Sequence, residues 1–301
     1  TRLEEENRIF RRVGIGTFVK AATGTSDPVA RRINIGIESR QDSQIERPPM
    51  LQIICEAQRA CSEHDCNLLL LGREELLAGE NIDAAFFPHL ELKDFPEALR
   101  LSRRMPAVLL NRITDEPELS YIAVDYVEAS CRIIRRFLEN GAGDIMLVGG
   151  ASHPEQSYTM FSRELGYRRA FEQMGREVNE ELILPGLTIR AYDSIAEKLI
   201  RFKPDVIFVS CEVLMSRIHT ALKLSGGALG KKVYVFCFDD MQDFTMFDTA
   251  GSISYGRMPF RTMCSRAVEY LSGRIRKTIP DQPIHEIYPL SYVVTECPFL
   301  I

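Results

Sequence analysis

The run Val233-Tyr234-Val235-Phe236-Cys237-Phe238-Asp239-Asp240 decides how the rest of the chain is read. An apolar stretch of strand length ends abruptly in two carboxylates. A strand buried on both faces of a parallel sheet reads as such a near-continuous apolar run. Ligands of open α/β sheets sit just beyond the carboxyl ends of such strands, so Asp239 is expected at the mouth of a cleft. The competing reading is a helix-start pair after an ordinary core strand.

Upstream, the same grammar repeats. Ile33–Ile37, Asn67–Leu71, Asp83–Phe87 and Ala107–Asn111 read as strands. Between and after them, Ile53, Ile54, Ala57, Ala60 and Cys61, then Val127, Cys131, Ile134 and Leu138, recur at helical spacing. The second of these helices stops at Gly141, a favoured C-terminal cap position. A second set comes next. Ile145–Val148 and Val206–Val209 are strands, with helices marked by Phe161 to Met174, Ile195 to Phe202 and Val213 to Leu222. A last helix runs through Met263, Ala267 and Leu271. Strands separated by helices of this length imply parallel βαβ units with right-handed crossovers. Each set is large enough to bury one core. The reading is an α/β protein of two Rossmann-like lobes facing a cleft.

The 301 residues are 45% hydrophobic and 26% charged with a net charge of -5, which excludes a chain-wide basic nucleic-acid binder but leaves room for a local basic patch. No apolar run reaches the roughly 18 residues of a membrane helix. The charged start Thr1-Arg2-Leu3-Glu4-Glu5-Glu6 has no apolar core like that of a signal peptide. The eight cysteines form no C-x-x-C pair, and free buried thiols in a reducing cytoplasm account for them. The five histidines are scattered, without H-E-x-x-H, so neither a metal nor a cofactor is expected.

Residues 1–20 differ in character from the rest of the chain. Arg8 to Lys20 reads as a hairpin, two short apolar arms around Gly14 and Gly16. G-x-G-x-x-G is not completed there, which argues against a dinucleotide loop. Arg11, Gly14, Gly16, Thr17, Phe18 and Val19 resemble the wing of the GntR-type winged helix-turn-helix. The resemblance covers only the tail of such a domain, and the helices expected before the wing are absent from the sequence. It implies that Arg8, Arg11, Arg12, Gly14, Gly16 and Thr17 belong to a DNA-contacting wing. Residues 21–31, rich in small and polar residues and broken by Gly24 and Pro28, have linker composition.

Residues 32–301 resemble the effector domain of the LacI/GalR family of bacterial repressors. Several motifs carry the resemblance in order: Pro106 to Arg112, Val124-Asp125, Arg163-Glu164-Leu165-Gly166-Tyr167-Arg168-Arg169-Ala170, Lys203 to Val209, and Phe238-Asp239-Asp240. A GntR-like wing joined to such a domain is similar to the arabinose-responsive (AraR-like) hybrid repressors. The resemblance implies a type I periplasmic-binding-protein-like fold, with one lobe at about 32–142 and 252–283 and the other at about 143–251 and 284–301. It also implies a homodimer, operator DNA as partner of the full-length protein, and a small sugar-like effector.

Arg163 offers five donors in a rigid fork and Asp239 can accept two hydroxyls, so the pair suits a polyol. The alternative for Arg163 is a surface arginine on an amphipathic helix. Asp125 is a ligand contact or a helix N-cap. Asn111 and Arg112 are ligand contacts or loop polars at a strand end. Ser39, Arg40, Phe161, Glu212 and Tyr255 complete the expected site. Ser39–Asp42 lacks the family's Asn-Pro-Phe, and Cys211-Glu212 stands where Asn-Asp or Ser-Asp is usual, which leaves the effector open. Dimer contacts are expected around Met50 to Cys61 and Leu214, Met215 and Ile218, unless these are core. Asp239→Ala and Arg163→Ala are expected to abolish the effector response while leaving folding intact.

The leading reading is a ligand-responsive transcription regulator and not an enzyme. A solute-binding protein of the same fold is the alternative. A doubly wound enzyme is a third reading, but no phosphate loop is present, and Gly150-Ala151-Ser152-His153-Pro154 lacks the last glycine of G-x-S-x-G.

Overall fold

The computed structural model describes residues 9–12, 16–19, 31–38, 48–88, 90–155, 157–185, 191–240 and 253–300. Of the residues expected to contact ligand or DNA, Arg8, Gly14, Ser39 and Arg40 lie outside the described residues, as do the N-terminal segment 1–8 and the linker residues 21–30. The chain divides into two units, Thr1–Arg32 and Ile33–Ile301. In the first unit β1 (Ile9–Arg12) and β2 (Gly16–Val19) pair antiparallel, with Phe10 opposite Phe18 and Arg11 opposite Thr17. Apolar arms around a glycine turn predict such a hairpin, and Arg11, Arg12, Gly16 and Thr17 lie on it.

The second unit holds two six-stranded sheets. The chain runs through β3 (Ile33–Glu38), α1 (Pro48–Glu63), β4 (Cys66–Leu71), α2 (Arg73–Ala78), β5 (Ala84–Phe87), α3 (Phe95–Ser102), β6 (Ala107–Leu110), β7 (Ser120–Ala123) and α4 (Tyr126–Glu139). It continues through β8 (Ile145–Gly150), α5 (Tyr158–Gln173), β9 (Ile183–Pro185), α6 (Ala191–Phe202), β10 (Val206–Val209), α7 (Met215–Ser225) and β11 (Tyr234–Cys237). The last elements are β12 (Ile253–Arg257), α8 (Phe260–Ile275), β13 (His285–Ile287) and β14 (Ser291–Val293).

The first sheet has the order β13-β7-β6-β5-β3-β4 and is parallel throughout. The second has the order β14-β12-β11-β10-β8-β9, with only β14 antiparallel. Because side chains alternate faces along a strand, each apolar run feeds two cores. Phe86, Val108, Ile145, Leu147, Phe208 and Phe236 enter one core that runs through both lobes. Their neighbours Ala85, Phe87 and Leu109 fill the outer face of the first lobe, and Met146, Val148, Ile207 and Val235 that of the second. Leu214, Met215 and Ile218, weighed above as an intersubunit face, are buried in this outer core of the second lobe.

The lobe boundaries differ from those expected. Helix α4 packs on α5, and Phe137 meets Phe236 edge-on at 6.0 Å, so α4 belongs to the second lobe. β12 pairs with β11 in the second sheet, and β13 pairs with β7 in the first. The chain therefore passes between lobes at 123–126, 257–260 and 287–291 rather than at 142, 251 and 283. The strands at and next to these sheet edges span only three to five residues and carry too little alternation to be read from sequence.

Gly166 explains one motif. A Cβ there would lie 2.3 Å from the Val127 carbonyl oxygen and 2.7 Å from the Ser130 Cβ. Only a glycine lets α5 approach α4 this closely. Tyr167 beside it is a core anchor whose hydroxyl donates to the Ile145 carbonyl at 2.8 Å.

Candidate ligand-binding cleft

A cavity of about 330 Å³ lies between the lobes, at the carboxyl ends of strands from both sheets. That is near the small end of ligand clefts, about 300–1,000 Å³, and suits one sugar-sized molecule. Asn111 and Arg112 directly follow β6, Cys211 and Glu212 follow β10, and Asp239 follows β11. Strand order reverses between β8 and β10 in one sheet and between β5 and β3 in the other. The segments leaving β8, β10 and β5 carry Tyr158, Glu212 and Leu90 into the cleft, as expected of a topological switch point.

The floor is built on Arg163 of α5. Its Nη2 donates to Asp239 Oδ1 at 2.7 Å and its Nη1 to Asp239 Oδ2 at 3.1 Å, a two-pronged pair with side chains 4% and 10% exposed. Nη1 also donates to the Ser210 carbonyl. The guanidinium carbon stands 4.1 Å from the Phe238 ring centre and 4.7 Å from that of Tyr126, within cation–π reach of both. Burial works against the Arg163 charge, but the Asp239 carboxylate outweighs it and holds the guanidinium above its ordinary range. Glu212, 3% exposed, meets the same carboxylate. Burial first, then the charge of Asp239 and a hydrogen bond to it, push the Glu212 carboxyl up to about 8. The floor thus brings two carboxyl groups, Glu212 and Asp239, and one guanidinium together.

The opposing wall belongs to the first lobe. Arg112 Nη1 donates to the Leu90 carbonyl at 2.5 Å, and its guanidinium lies between the rings of Phe95 (4.8 Å) and Tyr158 (4.4 Å). Burial is the main cause that depresses its pKa. Asn111 takes φ +59, a left-handed conformation that Asn tolerates better than most residues. Its amide nitrogen donates to the Ile122 carbonyl at 3.0 Å. Its side-chain Oδ1 is buried without a hydrogen-bond partner. A buried orphan acceptor is costly unless a ligand or water satisfies it.

Of the expected site residues, Arg163, Asp239, Asn111, Arg112 and Glu212 line the cleft. Three others do not. Asp125 caps α4, its carboxylate accepting from the Glu128 amide at 2.9 Å, so the N-cap reading holds and its oxygen is spent on an orphan helix donor. Phe161, one turn after Tyr158, packs half-buried against the outer core of the second lobe. Tyr255 packs against the same core, with its hydroxyl accepting from Arg257 at 3.3 Å. Tyr126, Tyr158 and Phe260 supply the aromatic surface instead, with Met50 and Leu90. Tyr158 directly follows Ser157, whose hydroxyl caps α5 by accepting from the Met160 amide, and nothing in the sequence sets it apart from Phe161 one turn on.

Two sheets of this order joined by three crossings around a ligand-sized cleft define a type I periplasmic-binding-protein-like protein. The family of the periplasmic binding protein-like domain matches residues 134–295, and the chain belongs to it. No curated protein matches the chain in sequence. Among solved structures, the transcriptional regulator CelR in complex with cellobiose is similar at 23% identity and TM-score 0.71, over 88% of this chain and 85% of that one. The Escherichia coli transcriptional repressor AscG is similar at 19% identity and TM-score 0.72, over 88% and 98%. The regulator CcpA of Lactococcus lactis is similar at 16% identity and TM-score 0.70, over 89% and 99%.

Proposed function

We propose that this chain is the effector-binding part of a ligand-responsive transcription regulator, and that its signal is a small polyhydroxylated molecule held between the lobes. The observation that carries the reading is the buried Arg163–Asp239 fork, placed at strand ends and facing an interlobe cavity of monosaccharide size. Asp239 keeps lone pairs for ligand hydroxyls, and Asn111 Oδ1 adds an unfilled acceptor across the gap. The similar regulators, one solved with cellobiose, support the same class. Closing the lobes on a ligand changes their relative orientation, and that equilibrium is what a two-fold dimer passes to paired DNA-binding heads. We assign residues 1–20 to the wing of a GntR-type head, the protein to a cytoplasmic homodimer, and its DNA partner to a pseudo-palindromic operator.

The test is a thermal-shift screen of monosaccharides against wild type and Asn111→Ala. One sugar should raise the wild-type Tm by several degrees and lose at least tenfold in affinity, about 1.4 kcal/mol, in the variant. That sugar should then change the gel-shift affinity of the full-length regulator for its operator. A cleft that no sugar stabilises sinks the reading.

A further inference from the structure

The first-lobe rim of the cleft is the segment between β5 and α3. It brings Pro88, Leu90, Glu91 and Leu92 to the cavity, where Leu92 stays 42% exposed. On the cleft side Arg112 holds this rim by the Leu90 carbonyl. Behind it stands Arg73, the first residue of α2, which is not among the described residues lining the cavity. Its Nε donates to Glu38 Oε1 at 3.1 Å, its Nη1 lies 2.8 Å from Asp94 Oδ2, and its Nη2 lies 3.4 Å from Glu91 Oε1. Arg73 Nη2 and Asp94 Oδ2 are buried and make no hydrogen bond, so charge attraction carries the contacts to Asp94 and Glu91.

Three carboxylates thus converge on one guanidinium. Glu38 ends β3, opposite Leu71 of β4, and its side chain is only 2% exposed; that of Asp94 is 12% exposed. Lys93 reaches Glu91 at 2.9 Å but is 71% exposed, where an ion pair contributes little. We propose that Arg73 is a positioning residue of the effector site: it lines no part of the cavity, and it fixes the rim that does by neutralising carboxylates gathered from β3, the rim and the start of α3. The inference rests on the cleft being the effector site. Without Arg73, Glu38, Glu91 and Asp94 stand together as like charges, two of them shielded from water, where repulsion is weakly screened. Glu38 is held in the sheet, so the rim is the part that yields, and Leu90, Glu91 and Leu92 leave the cavity wall with it.

The experiment compares wild type with Arg73→Met, Arg73→Lys and the double variant Arg73→Met/Asp94→Asn. The probe is the monosaccharide that stabilises wild type in the thermal-shift screen, titrated by calorimetry; amide hydrogen exchange of residues 90–94 is followed without ligand. Arg73→Met should bind the sugar at least tenfold more weakly and exchange its rim amides at least tenfold faster, while those of β10 keep their wild-type protection. Arg73→Lys, which keeps the charge and loses the fork, should lie between, and it carries both readouts if Arg73→Met does not fold. Adding Asp94→Asn should recover part of the lost affinity, which loss of packing alone would not do. Wild-type affinity or wild-type rim exchange in Arg73→Met overturns the proposal and leaves the effector cleft standing, because Asn111→Ala tests the cleft separately. A double variant no better than Arg73→Met overturns it as well. If no sugar binds wild type, the cleft reading falls and this inference falls with it.

Discussion

Tyr158, the first residue of α5 in the second lobe, stacks on the guanidinium of Arg112, which follows β6 in the first, with 4.4 Å between the Arg112 Cζ and the ring centre. Its hydroxyl accepts from the Ile113 amide at 3.2 Å. Arg112 is itself fixed by the Leu90 carbonyl and Phe95. The contact thus ties two rigid parts of different lobes across the mouth of the cleft.

Tyr158→Ala removes a cation–π contact and a hydrogen bond, together about 1–2 kcal/mol. The population in which the lobes touch should fall by about tenfold relative to the open one. Small-angle scattering should show a larger radius of gyration for the variant, and Tyr158→Phe should lie between. Identical scattering curves would deny the tyrosine any role in closure.

Asp239→Ala should cost more than ligand binding. The sequence alone favours a substitution that spares folding, but the partner Arg163 is almost wholly buried. Removing one member of a buried pair leaves an uncompensated charge, typically about 3–5 kcal/mol. Urea denaturation should show that loss for Asp239→Ala and a smaller one for Asp239→Asn, which keeps an acceptor near Arg163. Wild-type stability in Asp239→Ala would mean that the pair is open to water in solution.

Glu212 gives the fold a pH dependence with a definite sign. Its folded pKa is raised from the ordinary 4.5 to about 8, so the native state holds a proton that the unfolded chain releases. The stabilisation is fully present below about pH 4.5 and is lost as pH rises through about 8. Wild type should therefore lose stability between about pH 5 and 8.5 relative to Glu212→Gln, whose amide does not titrate. Parallel curves for the two proteins across that range contradict the assignment.

Gly166→Ala should destabilise without touching the cleft. Its Cβ would press on the Val127 carbonyl, and separating α4 from α5 costs about 1–3 kcal/mol. Thermal unfolding measures it; a Tm within a degree of wild type would show that the helices part freely.

The central strands were legible because burial on both faces leaves long apolar runs, as in Val206–Val209 and Tyr234–Cys237. The end of the Val233–Phe238 run pointed to Asp239 from the sequence itself, whereas Glu212, Asn111 and Arg112 were singled out through the family resemblance. What escaped was short or local. β13, with exposed His285 and Ile287, carries no apolar pattern to read. Asp125 looks the same in sequence whether it faces a ligand or its own helix, and one hydrogen bond to Glu128 decides. Phe161 and Tyr158 sit three residues apart near the start of one helix, and only the helix's rotation sends Tyr158 to the cleft.

The three passages between lobes have a consequence for synthesis. The edge of the first sheet beyond β7 is closed only by β13, and that of the second beyond β12 only by β14. A ribosome must therefore deliver nearly the whole chain before either half of the molecule can finish. Until then the nascent protein carries open strand edges that invite pairing with other chains. Chaperone dependence should concentrate in the late stage of translation, and neither half should survive when expressed alone.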